Sequence, residues 1–205
     1  VDTLIQIATR DRQLLAGIAE AMTEAARRSG DWLACRPGCT PCCIGPFAIT
    51  RLDALRLRQG MSGLQAADPV RAGRVRARVA AYLAAVAPHY PGDPVTGELW
   101  DEDSLPAFMD EVPCPALDHD SGLCDLYAAR PVTCRTFGPV TRIGEGEFAA
   151  CELCYAGATD DQMAQCAVDI DPEGLEGELL DALDSPRASG MTIVAYALHD
   201  RAGGP

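Results

Sequence analysis

The chain has 205 residues, with 30 acidic side chains against 17 Lys and Arg and a formal net charge of −13. Such a balance argues against a nucleic-acid partner, because phosphate binding needs Lys and Arg to displace counterions. No run approaches the roughly eighteen apolar residues of a membrane span, and ordinary apolar and charged fractions indicate a folded domain.

The N-terminal stretch VDTLIQIATRDRQLLAGIAEAM lacks a charged region followed by an apolar one. It therefore does not read as a secretory signal, and a cytoplasmic location is expected. Leu4, Ile7, Leu14, Ile18, Met22 and Ala25 recur at helical spacing and predict one helix over 3–28, with Gly30 as its stop. CRPGCTPCC follows at 35–43, and its prolines and glycine put it on a tight loop. ITRLDALRLRQG predicts a short helix capped by Thr50 and stopped by Gly60. A third helix spans 69–87, and its basic run, RAGRVRARVAAYLAA, reads as a solvated face.

From Pro88 to Pro115 the chain is rich in proline, glycine and acid, so a long irregular connection is expected there. CDLYAARP predicts one or two helical turns ending before Pro131. GPVTRIGEGEFAA predicts a hairpin around GEGE. Helices are expected over 159–168 and 172–184, and a final apolar helix in MTIVAYALHD. The expected fold is mainly α: a single helical domain over 1–205, with long irregular Cys-rich loops organised around metal and one small β-hairpin. Its parts would be an N-terminal helix over 1–30, a metal-binding region over 35–154 and C-terminal helices over 159–205.

The ten cysteines fall into groups. Cys35, Cys39, Cys42 and Cys43 open the series. Cys114, Cys124 and Cys134 are evenly spaced, and Cys151 and Cys154 form a C-x2-C pair. In a reducing compartment such grouping points to metal ligation and not to disulfides. Cys166 stands apart in a helical context and reads as a packing residue. A thioredoxin-like redox pair at Cys151 would need a preceding strand and a long following helix, and neither is evident. His89, His119 and His199 read as solvent-facing or helix-end residues.

Nearly pure sulfur ligation suits zinc or iron–sulfur clusters. Cys42 and Cys43 sharpen the choice. Neighbouring Cα atoms are about 3.8 Å apart, and in extended chain their side chains point to opposite sides. Such neighbours close poorly on one tetrahedral ion but can serve different irons of a cluster. Eight or nine thiols also exceed one zinc site. Iron–sulfur is favoured on these grounds, with zinc or iron ions as the alternative.

The motif order CRPGCTPCC, then CPALDHDSGLCDLYAARPVTCRTFG, then CELC resembles the YkgJ-like cysteine-cluster family, with its C-x2-C-x2-C-C run and zinc- or iron-chelating description. The opening spacing here is C-x3-C. The resemblance covers 35–154. It implies as metal ligands Cys35, Cys39, Cys42, Cys43, Cys114, Cys124 and Cys134, completed by Cys151 or Cys154. It also draws attention to Tyr127, Arg130, Pro131 and Arg135. Arg130 and Arg135 would offset thiolate charge from behind the ligands, and Pro131 would end the short helix before Cys134.

Three functions are compatible with this reading: an iron–sulfur protein with a redox or electron-transfer role and a redox partner protein, a zinc- or iron-chelating protein with structural or cargo metal, and a metal-dependent enzyme. The last would need an open coordination position and nearby acids. Asp118, Asp120, Asp125 and Glu152 are candidates by proximity.

Overall fold

The computed structural model describes residues 2–101, 105, 107–144, 147–183 and 190–199. Among them are seven α-helices and two two-stranded sheets, so the fold is mainly α. No helix is long and apolar enough to cross a membrane. The chain divides into two compact units, each built from two segments. One comprises Val1–Cys39 with Val132–Asp184, the other Thr40–Pro131 with Ser185–Pro205.

The first unit is laid along α1, Asp2–Ser29. Ile7, Leu14, Ile18 and Ala25 are buried as the helical spacing predicts, and the side chain of Leu4 lies outside the described residues. Three later helices pack against α1: α4 (Val132–Thr136), α5 (Asp160–Cys166) and α6 (Leu175–Ala182). α5 starts at a capping box, in which the Thr159 hydroxyl accepts from the Gln162 N–H and the Gln162 side chain accepts from the Thr159 N–H. The predicted hairpin forms from β3 (Thr141–Gly144) and β4 (Glu147–Ala149), antiparallel and with a shift in register. Glu145 and Gly146, in the GEGE turn, lie outside the described residues.

The second unit is built on α2 (Arg51–Ala67), α3 (Pro69–Val86) and α7 (Val194–Leu198), which pack on one another. Leu57, Val75, Val86, Leu99, Met109 and Ile193 are almost completely buried between them. Thr50 caps α2 through the Asp53 N–H, as expected. Gly60 does not stop it, and the helix runs seven residues further, to Ala67. A Cβ on Gly60 would come within 2.3 Å of the Ala129 Cβ, so this glycine serves close packing and not termination. Asp68 caps α3 through the Arg71 N–H.

CDLYAARP gives only a 3₁₀ turn, Tyr127–Ala129, after which Arg130 is extended, as the residue before a proline must be. A second sheet, absent from the sequence reading, pairs β1 (Leu117–Asp118) with β2 (Leu123–Cys124).

Candidate metal centre

The thiols divide between the units. Cys35, Cys39, Cys134, Cys151, Cys154 and Cys166 belong to the first, and Cys42, Cys43, Cys114 and Cys124 to the second. All ten are free of disulfide bonds.

In the second unit, short antiparallel contacts gather the four sulfurs. The Cys114 N–H donates to the Cys43 carbonyl at 2.7 Å and the Gly45 N–H to the Val112 carbonyl at 3.0 Å, around a bridge between Ile44 and Pro113. Cys124 stands opposite Leu117 in the small sheet, and the Asp125 N–H donates to the Ala116 carbonyl at 2.8 Å. The backbone N–H groups of Ala116 and Leu117 turn toward the Cys114 sulfur, and that of Leu126 toward the Cys124 sulfur. These bonds favour the thiolate form. Burial opposes them and wins in the free thiols, raising Cys114 to about 11 and raising Cys124 as well.

Cys42 and Cys43 do not lie in extended chain. Pro41–Cys43 is a 3₁₀ turn, on which neighbouring side chains need not oppose each other. The Cys43 thiol donates to Cys42, and this holds Cys42 down to about 6, helped by the backbone N–H of Cys42 and the charge of Arg130. The same bond raises Cys43, as do its burial and the sulfurs of Cys42, Cys114 and Cys124. The geometric premise that this pair diverges therefore fails. Cys43 lies within electrostatic reach of the other three thiols of its unit.

In the first unit Cys35 and Cys154 have their sulfurs 4.0 Å apart. Cys35 is pushed up to about 12 by burial, then by Cys154, Cys39 and Cys151. The Cys151 N–H donates to the Gly138 carbonyl and the Cys154 N–H to the Cys151 carbonyl. Leu153 and Cys154 also turn their N–H groups toward the Cys151 sulfur, while burial raises that thiol overall. C-x2-C thus forms a tight turn with backbone donors on its first sulfur.

Two residues that shape this turn escape sequence reasoning. Gly138 has φ +126°, and a Cβ there would come within 2.6 Å of the Cys35 sulfur. Tyr155 has φ +58°, a left-handed conformation that costs a side-chain-bearing residue about 1–2 kcal/mol. Its hydroxyl accepts from the Val140 N–H at 2.9 Å and donates to the Ser29 Oγ at 2.6 Å, and the Ser29 hydroxyl in turn donates to the Ala25 carbonyl. With the Tyr155 N–H on the Trp32 carbonyl, these bonds hold the residue after Cys154 in its strained form. Glycine would be the sequence signal for such a position, and tyrosine hides it.

Cys134 is half-buried on α4, followed by Arg135. Cys166 is buried in a cluster with Val140, Cys151, Cys154, Tyr155 and Ala167, with its thiol donating to the Arg28 carbonyl at 3.4 Å. The thiol's bond to the Arg28 carbonyl gives it a partner besides metal, and its expected role is packing. We expect Cys166→Ala to retain full metal content by elemental analysis, with a modest loss of stability. Metal loss matching that of Cys151→Ala would make it a ligand.

Arg130 lies over the Tyr127 ring at 4.0 Å, and its charge favours the thiolate forms of both Cys42 and Cys124. Of the four acids, Asp118 accepts from Ser121 Oγ at 2.6 Å, and this lowers its carboxyl. Asp120 and Glu152 are exposed, and Asp125 is buried in ion pairs with Arg71 and Arg78. Those pairs also correct the reading of the basic run on α3, which is not simply a solvated face. All three histidines are exposed, as expected.

Among the described residues no three His, Cys, Asp or Glu side chains already converge on one ion position. The donor set nevertheless fits a thiophilic metal: sulfur ligands, backbone N–H groups turned onto sulfur, and nearby guanidinium charge. No curated protein and no solved structure matches the chain. The family model of the CxxCxxCC domain, described as zinc- or iron-chelating, matches residues 34–154. That match spans more than half the chain and takes in nine of the ten cysteines, and the protein is a member of the CxxCxxCC family of zinc- or iron-chelating domains.

Proposed function

We propose that this protein carries two thiolate centres, one in each unit, and that they hold iron–sulfur chemistry with a redox or electron-transfer role. The partition of the thiols supports this reading. Cys35, Cys39, Cys151 and Cys154 form one set of four, and Cys42, Cys43, Cys114 and Cys124 the other. Cys134 is a fifth thiol of the first unit and a further ligand in this proposal. Nearly pure sulfur ligation suits iron–sulfur clusters.

When bound, an iron–sulfur cluster supplies reversible one-electron transfer. The chain's own residues do the rest. The turns at 114–117 and 151–154 aim N–H groups at sulfur, and hydrogen bonds to sulfur tune potential. Arg130 offsets charge at the second set, and Arg135 is proposed to do so beside Cys134. A redox partner protein would deliver or remove the electron. Ten free thiols fit a reducing compartment such as the cytoplasm. Zinc is the second reading, favoured by the compact C-x2-C turn at 151–154, whose N–H···S bonds also suit one tetrahedral ion.

Anaerobic purification with iron, zinc and acid-labile sulfide measured on the same sample tests the assignment. The expected result is iron and sulfide in comparable amounts, with broad visible absorbance that bleaches on reduction. Colourless protein with zinc and no sulfide would overturn the iron–sulfur reading and leave the zinc one standing.

A further inference from the structure

Asp125 sits directly after Cys124, with only 2% of its side chain exposed. Each carboxylate oxygen is taken by a different arginine of α3: Oδ1 accepts from Arg71 Nε and Oδ2 from Arg78 Nη2. Arg71 and Arg78 are seven positions apart and so lie on one helix face. Arg78 makes a second bond, from Nε to the Pro115 carbonyl at 2.9 Å. It thereby ties the residue after Cys114 to the residue after Cys124. The Asp125 N–H closes the arrangement on the Ala116 carbonyl.

We propose that Asp125 is a positioning residue for the metal centre of Cys42, Cys43, Cys114 and Cys124. Through Arg71 and Arg78 it fixes Cys114 and Cys124 in ligand register and places positive charge beside an anionic metal–thiolate group. The proposal rests on the reading that these four thiols share one centre.

Charge and geometry both require more here than an ordinary surface ion pair. Four thiolates around a doubly charged ion or core leave a net negative group. A lone carboxylate beside it would be repulsive, and Asp125 does disfavour the Cys124 thiolate. Two guanidiniums against one carboxylate leave this ion cluster with a net positive charge. Arg78 favours the thiolate at Cys114 and Arg71 the thiolate at Cys124. Asp125 is thus the anchor that holds the arginines where they offset the centre. Its own charge is neutralised by the same bonds, and both of its oxygens are occupied, so it is not itself a ligand.

The test is Co(II) titration of the reduced, metal-free full chain, read by cobalt–thiolate absorbance, for wild type, Asp125→Asn, Asp125→Glu, Arg78→Lys and Cys43→Ala. In Asp125→Asn we expect binding weakened by about 10–100-fold, the usual effect of removing a group that orients ligands. The loss should be confined to the component that Cys43→Ala abolishes, and the ligand-field bands of that component should shift. Asp125→Glu should recover part of the affinity, and Arg78→Lys should lose several-fold because it keeps charge without the fork. If Asp125→Asn does not fold by circular dichroism, Arg78→Lys carries the test.

Wild-type cobalt binding in the folded variants would overturn the proposal. So would equal weakening of all cobalt components, which is what a merely structural ion pair produces. If Cys43→Ala itself binds cobalt like wild type, the four-thiol reading fails first and this proposal falls with it.

Discussion

Removing metal from the reduced protein is expected to lower its melting temperature by about 20 °C or more. A structural thiolate site contributes around 10 kcal/mol of folding free energy, and each kcal/mol moves the midpoint by about 2–4 °C at this chain length. The cysteine segments carry little regular secondary structure. Residues 35–43 contain one 3₁₀ turn, and 114–125 contain two strands of two residues each. Burial and neighbouring thiols raise Cys35, Cys43 and Cys114, so without metal these three stay as neutral thiols near neutral pH and hold nothing together by charge. The helices differ. α2, α3 and α7 share an apolar core that includes Leu57, Val75 and Ile193. Circular dichroism should therefore show most helical signal retained at low temperature, while trypsin gains a cut after Arg135, beside Cys134. Metal-free protein that melts within about 2 °C of the loaded form and digests at the same rate would show that the metal is not part of the fold.

The sequence reveals what the cysteines are for more readily than which of them work together. In the sequence Cys166 stands apart from the other nine by its helical neighbours, and metal analysis of Cys166→Ala tests that separation. Helices long enough to show a stripe are legible too, and α1 buries Ile7, Leu14, Ile18 and Ala25 on one face. Gly60 misleads because propensity makes it a stop, whereas contact with Ala129, far along the chain, decides its role. The small sheet of β1 and β2 is too short for an alternating pattern to appear. Asp125 finds Arg71 and Arg78 across 54 and 47 residues, a pairing that no local signal announces. Cys42 and Cys43 are the sharpest case. Adjacency suggests divergent side chains only if the chain is extended, and Pro41 instead opens a 3₁₀ turn in which the two thiols meet.

The partition of the cysteines yields the second large effect: Cys39→Ala and Cys43→Ala, four residues apart, should each remove a different half of the bound metal. Cys39 ends one segment of the first unit, and Thr40 begins the second unit. The electrostatic partners follow the same division. Cys35 is influenced by Cys39, Cys151 and Cys154, and Cys43 by Cys42, Cys114 and Cys124. Cys151→Ala should therefore lose the same metal as Cys39→Ala, and Cys124→Ala the same as Cys43→Ala. Combining Cys39→Ala with Cys151→Ala should cost no more metal than either alone, whereas Cys39→Ala with Cys43→Ala should strip the chain. Non-additivity within a set and additivity between sets is the signature of independent centres. Elemental analysis of the six variants decides the matter. If Cys39→Ala and Cys43→Ala lose the same metal, the first cysteine cluster works as one unit and a single larger centre replaces the two proposed. In the two-centre arrangement, CRPGCTPCC is the short run of sequence that supplies both: Cys35 and Cys39 to one, Cys42 and Cys43 to the other.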